Sequence, residues 1–203
     1  MRTTVEVLAC FVCIVASSAI GDVTTTFDAD LGGWTSNTPG EIMWADADPE
    51  GNPGGYARFE DATTEDTFLI APAKYLGDWS ALDGVEQLSY DHNVIWITGS
   101  AFSRSPHTVT ISGPGGQATW TGPFAPRDPG WNTFTAPMAE SEWTVDSGAW
   151  NALLADVTSL SIRFEQFSNL DISGMDNIIL TPEPATLSLL ALGGLVMIRR
   201  RRR

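Results

Sequence analysis

Apolar side chains between residues 22 and 181 recur largely at intervals of two. Leu88, Tyr90, His92 and Val94 alternate with Ser89, Asp91 and Asn93; Val109 and Ile111 alternate with threonine and serine; and Leu160, Ile162 and Phe164 fall on the even positions of 159–165. Period-two alternation puts one face of a strand in a core and the other in solvent, the habit of antiparallel sheets. Gly113-Pro114-Gly115-Gly116 stands between two such runs and predicts a hairpin. One segment has the helical period instead: Trp150, Leu153, Leu154 and Val157 lie at i, i+3, i+4 and i+7, with Asp146 or Ser147 placed to cap them. There is no internal repeat and no low-complexity linker. The pattern predicts an all-β chain folded as a single antiparallel β-sandwich with one short helix.

The two ends break this pattern. Arg2, the apolar run 7–16 and the small residues after it read as a secretory signal helix over 1–21, cut after Ala19 or Gly21. Both cysteines, Cys10 and Cys13, lie inside it, so the segment 22–181 has no disulfide to lean on and must stand on its core. Residues 182–203 begin with the stiff Pro182-Glu183-Pro184, continue as an uncharged apolar run over 185–198, and close on Arg199, Arg200, Arg201, Arg202 and Arg203. As a helix the apolar run is about 21 Å long, short of the ~30 Å hydrocarbon core. The arginines favour the cytoplasm, with everything before Pro182 outside, and the signal segment demands the same topology.

This order of elements resembles the PEP-CTERM sorting domain of Gram-negative bacteria. The resemblance rests on Pro182, Glu183 and Pro184, the short hydrophobic helix and the arginine stop. It implies partners in the secretion machinery and an exosortase that cuts near the motif. It also implies export across the inner membrane, transient anchoring through the tail alone, and delivery to the cell surface or extracellular matrix.

Charge narrows the function of the middle segment. It keeps five lysines and arginines against 23 aspartates and glutamates. Such a field repels nucleic acid and anionic lipid and attracts cations. Catalytic signatures are missing: there is no Gly-x-Ser-x-Gly elbow, no thiol and no spaced histidine set, and His92 and His107 are the only histidines. His92 follows the apolar side of its strand and is expected to be a satisfied, partly buried side chain. The segment is therefore expected to be non-enzymatic.

Several stretches in order resemble laminin B (laminin IV type A) domains: Phe27-Asp28-Ala29-Asp30-Leu31-Gly32-Gly33-Trp34, Gly51-Asn52-Pro53-Gly54-Gly55-Tyr56, residues 68–78, Leu88-Ser89-Tyr90-Asp91, residues 160–165, and residues 173–180. The resemblance spans nearly all of 22–181. It implies a jelly-roll, galactose-binding-like sandwich with a binding or adhesion role and no known catalysis. Related jelly rolls often hold a structural calcium. Asp28 and Asp30 after the first strand and Asp176 before the last are the expected ligands, since terminal strands of a sandwich commonly pair; the competing reading makes them turn residues that bond local amides.

A carbohydrate-binding, lectin-like module is the alternative, and an extracellular glycan hydrolase working through paired carboxylates the third reading. All eight tryptophans lie in the middle segment. Most are expected in the core, with Trp44, Trp120 and Trp131, near turns, the candidates for an exposed sugar platform.

Overall fold

The computed structural model describes residues 22–46, 50–62, 65–98, 103–167 and 170–181. The expected signal segment and tail lie outside the described residues. Among the described residues twelve strands run in chain order: β1 Val23–Thr25, β2 Thr35–Ser36, β3 Ile42–Ala45, β4 Tyr56–Glu60, β5 Phe68–Ile70, β6 Gln87–Ile97, β7 Pro106–Gly113, β8 Gly116–Phe124, β9 Trp131–Pro137, β10 Trp143–Gly148, β11 Ser159–Arg163 and β12 Asp171–Thr181. They form two antiparallel sheets. The first is ordered β3-β4-β12-β6-β9, with β1 also paired to β12; the second is ordered β10-β8-β7-β11-β5-β2. The chain is a β-sandwich, as the alternation predicts.

The predicted inward residues form the core: Leu88, Tyr90, Val109, Ile111, Leu160, Ile162 and Phe164 are all fully buried. Phe59 of the first sheet stacks on Phe164 of the second, ring centroids 5.6 Å apart. Residues 113–116 turn β7 into β8, with Gly113 opposite Gly116. Tyr75 closes one end of the core, its hydroxyl donating to the Ile178 carbonyl at 2.7 Å, and Trp34 packs on its ring.

The helix differs in its start. It spans Trp150–Leu154, its first flanking residue is Ala149, and no side chain caps it. Asp146 and Ser147 instead extend β10 along β8, and Gly148, at φ +78°, ends that strand. The Ala149 amide finds the Gly115 carbonyl at 3.1 Å, so the hairpin turn takes over a role expected of a capping side chain. Val157 lies beyond the helix, bridged to Gly77.

His92 differs too. Its ring is buried in the sandwich between Phe134, Phe164 and His107, and its polar neighbour, the Phe164 main chain, is too poorly placed for a full hydrogen bond. Burial holds its pKa down to about 4. His107, bonded to the Tyr90 hydroxyl at 3.1 Å, is held lower still by burial and by the neighbouring imidazole. An imidazole depressed from 6.5 contributes stability that is complete above that value and is lost as pH falls toward 4, because only the unfolded chain takes the proton easily. The melting temperature of a His92→Leu variant should therefore fall less steeply than the parent's between about pH 6.5 and pH 4. Parallel slopes in differential scanning calorimetry would contradict this account.

Candidate functional site

β12 determines the geometry of the first sheet. One edge pairs with β6 along most of its length, while the other is shared by β4, opposite 172–175, and β1, opposite 178–180. The gap between the two short partners falls at Asp176 and Asn177. There the register with β6 slips, and Asn177 adopts a left-handed conformation at φ +49°. Phe27, just past the end of β1, does the same at φ +49°. Two non-glycine residues in this region at one junction mark a backbone held by its surroundings.

Asp28, Asp91 and Asp176 meet at this junction. Asp176 lies opposite Asp91 in the ladder and is 1% exposed. Burial raises its pKa to about 7, and the charges of Asp91 and Asp28 add to the rise. Asp91 is the hub of the polar contacts. Its Oδ2 accepts from Asn52 Nδ2 at 2.7 Å and from Asn177 Nδ2 at 2.9 Å, and its Oδ1 accepts from Thr133 Oγ1 at 2.6 Å. Asp28 Oδ2 accepts from Thr26 Oγ1 at 2.6 Å, and a Cβ on Gly54 would collide with its Oδ1. The Phe27 carbonyl accepts the Trp44 indole N–H at 2.6 Å.

Of the expected calcium ligands, the structure brings Asp28 and Asp176 together, with Asp176 inside the last strand rather than before it. Asp30 serves a local turn, its Oδ1 accepting the Gly32 amide at 2.6 Å. Asp91 joins them unannounced by the sequence, because alternation marks it only as an outward strand position. Among the described residues no three His, Cys, Asp or Glu side chains close into a metal cage. Carbonyls such as that of Phe27 would have to complete any coordination of a hard cation here.

The outer face of the same sheet is the second feature. Tyr56 and Trp131 meet edge-on across Gly174, ring centroids 5.7 Å apart, and a Cβ on Gly174 would stand 2.9 Å from both rings. The strap before β4 covers them. Glu50 Oε2 accepts the Tyr56 hydroxyl at 2.7 Å and the Glu50 carbonyl accepts the Trp131 indole at 2.9 Å. Burial, then Glu50, pushes the Tyr56 phenol up to about 12. Farther along, the face is open. Trp96 lies opposite Ile172, which lies opposite Glu60, and Glu60 pairs with Arg58. Trp96 is 48% exposed, and Met43, opposite Arg58, is 39% exposed.

Trp96 is the exposed platform that period-two counting hides. Parity would bury it with Leu88, Tyr90, His92 and Val94. The bulge at Ile95 inserts an extra residue, so Val94 pairs with inward Ser173 and Trp96 with outward Ile172. A one-residue shift sends every later side chain to the other face. Among the expected platforms, Trp120 is a core residue at 5% exposure, Trp131 is half-buried under the strap, and Trp44 is 38% exposed with its indole nitrogen tied to the main chain.

The PEP-CTERM protein-sorting motif matches residues 180–203. This chain carries a PEP-CTERM sorting tail. By sequence, no curated protein matches it. By fold, the sandwich is similar to the L4b domain of human laminin alpha-2, with 13% identity, 79% of this chain and 97% of that chain covered, and a TM-score of 0.59. It is also similar to the carbohydrate-binding module CtCBM11, with 17% identity, 83% and 99% covered, and a TM-score of 0.52. The family 30 carbohydrate-binding module of a Clostridium thermocellum cellulosomal cellulase has 16% identity, 80% and 98% coverage, and a TM-score of 0.50. Two of these three neighbours are carbohydrate-binding modules, and identities this low establish the shared sandwich alone.

The Asp91 hub yields a stability prediction. Asp91→Ala removes the acceptor for three side chains on three segments and leaves Asn52, Asn177 and Thr133 to find water. It should destabilise the protein by roughly 2–3 kcal/mol, read as a lower urea midpoint at unchanged slope. A midpoint equal to the parent's would mean that the network does not hold the junction.

Proposed function

We propose that the protein is an exported, non-enzymatic binding module, sorted by exosortase to the cell surface or extracellular matrix, where it holds extracellular polysaccharide on the outer face of its first sheet. Trp96 carries the reading. It is a flat aromatic surface, half open to solvent, on a sheet face that also offers the Arg58–Glu60 pair for hydroxyl groups. Aromatic faces stack on the apolar faces of sugar rings, and neighbouring polar groups fix orientation. The fold likeness to carbohydrate-binding modules supports this role, and the sorting tail supports its location. Both histidines are buried among aromatic rings, where neither meets a solvent-borne substrate as a general base.

Adhesion to a protein partner, in the manner implied by the laminin B resemblance, is the second reading. It is favoured by Met43 and Ile172, which lend the open face apolar area beyond what a single sugar platform needs. Affinity electrophoresis against the producer's own extracellular polysaccharide separates the two. The parent should be retarded and Trp96→Ala should run free. Retardation that survives Trp96→Ala moves the glycan off this face, and no retardation of the parent favours the protein partner.

A structural calcium at the β1–β12 junction belongs to the same reading, with Asp28 and Asp176 as carboxylate ligands and main-chain oxygens beside them. The ion would offset the burial of the Asp176 carboxylate and the repulsion that Asp91 and Asp28 add to it, and would pin β1 to β12. Chelation should lower the parent's melting temperature and leave Asp176→Ala unmoved. A parent that melts identically in calcium and in chelator would exclude the ion.

A further inference from the structure

Electrostatics decides which polysaccharides the Trp96 face can hold. Between residues 22 and 181 five lysines and arginines stand against 23 aspartates and glutamates, so the places of those five cations determine where an anion can be met. Arg163 lies in the second sheet and pairs with Asp66. Lys74 donates to the Thr24 carbonyl at 2.9 Å. Arg104 donates to the Ala125 carbonyl at 3.1 Å, with its guanidinium over the ring of Phe124, and Arg127 lies over the ring of Phe167. Arg58 alone of the five belongs to a strand of the first sheet.

That cation is already matched. Its guanidinium pairs with Glu60, two residues along β4, and the Glu60 side chain is the more exposed of the two, at 46% against 21%. Trp96, Ile172 and Glu60 lie in one row across β6, β12 and β4. Two strand spacings, about 10 Å, separate Trp96 from Glu60, within reach of the sugar next to one stacked on the indole. Charge beneath the row has the same sign. Asp171, the neighbour of Ile172, is buried and pushed up to about 8 by that burial, with repulsion from Glu165 and Asp61 adding to it. An anion laid over the row raises the cost of these carboxylates and meets no net positive charge to offset it.

A hydroxyl can donate a hydrogen bond, whereas a sugar carboxylate can only accept one. Glu60 therefore takes a bond from the first and repels the second at the same position. We propose that the Trp96 face selects uncharged polysaccharide and rejects uronate-bearing chains, and that Glu60 is the specificity-determining residue, accepting from hydroxyls and withholding Arg58 from competing acids. The proposal rests on the reading of Trp96 as a sugar platform and adds the class of sugar that the platform takes.

The producer's extracellular polysaccharide, separated by anion exchange into a neutral and a carboxylated fraction, supplies the probes for affinity electrophoresis at low salt. The neutral fraction should retard the parent more than about tenfold more strongly than the carboxylated one. Glu60→Gln, a change at a surface side chain, keeps the shape and releases the Arg58 guanidinium. It should gain retardation by the carboxylated fraction and narrow the ratio by about tenfold, or about 1.4 kcal/mol. Trp96→Ala should lose both ligands. A parent retarded equally or more by the carboxylated fraction, or a Glu60→Gln ratio equal to the parent's, would overturn the selectivity, and Trp96 would stand as a platform if Trp96→Ala still abolished binding. No retardation of the parent by either fraction would sink the polysaccharide reading itself.

Discussion

The structure hangs on a geometric constraint at β12: an eleven-residue central strand must satisfy one long partner on one side and two short ones on the other. β6 matches its length, but β4 and β1 cannot meet end to end without leaving main-chain groups unpaired between them. The chain meets this with a slip in the β6 register and a left-handed Asn177, whose amide bonds Asp176 Oδ1 at 2.7 Å and whose side chain reaches Asn52 and Asp91. Polar side chains therefore gather at the gap because the backbone there needs them. The acidic junction is a consequence of the sheet's connectivity as much as a feature placed on it.

The same constraint decides how much of the molecule is legible in its sequence. Strands that keep strict alternation, such as β7 and β11, bury the residues their parity names. Parity fails where a bulge intervenes, and the failures in β6 and β12 lie beside the candidate sites. The slip at Ile95 exposes Trp96, and the slip after Asp176 moves Ile178 and Leu180 back into the core. Asp28 and Asp176 can be paired from sequence because first and last strands tend to be neighbours. Asp91 cannot, because nothing in an alternating strand says which outward carboxylate will face a gap in the sheet. The helix start escapes local patterns for a related reason: its first amide is satisfied by a hairpin turn more than thirty residues earlier, which no capping signature records.

The ends and the middle of the chain constrain one another. The sorting motif at 180–203 begins where β12 ends, since Leu180 and Thr181 are still paired to Leu88 and Gln87. No linker separates the last strand of the sandwich from the segment that carries Pro182-Glu183-Pro184. β1, β4 and β6 all bear on this strand, so order at the sorting motif's threshold depends on the integrity of the sheet's centre.

The same reasoning bears on the acidity of the sandwich. A surplus of carboxylates spread over a surface would only keep an exported domain soluble. Here several are buried in two groups at separate points along β12, where burial makes each charge costly and neighbouring carboxylates add to the cost. Solubility gains nothing from a carboxylate hidden at 1% exposure. Groups placed against their own electrostatics must be neutralised for the sheet to close, whether by protons or by cations. The central strand is thus the place where the state of the surrounding medium is coupled to the fold.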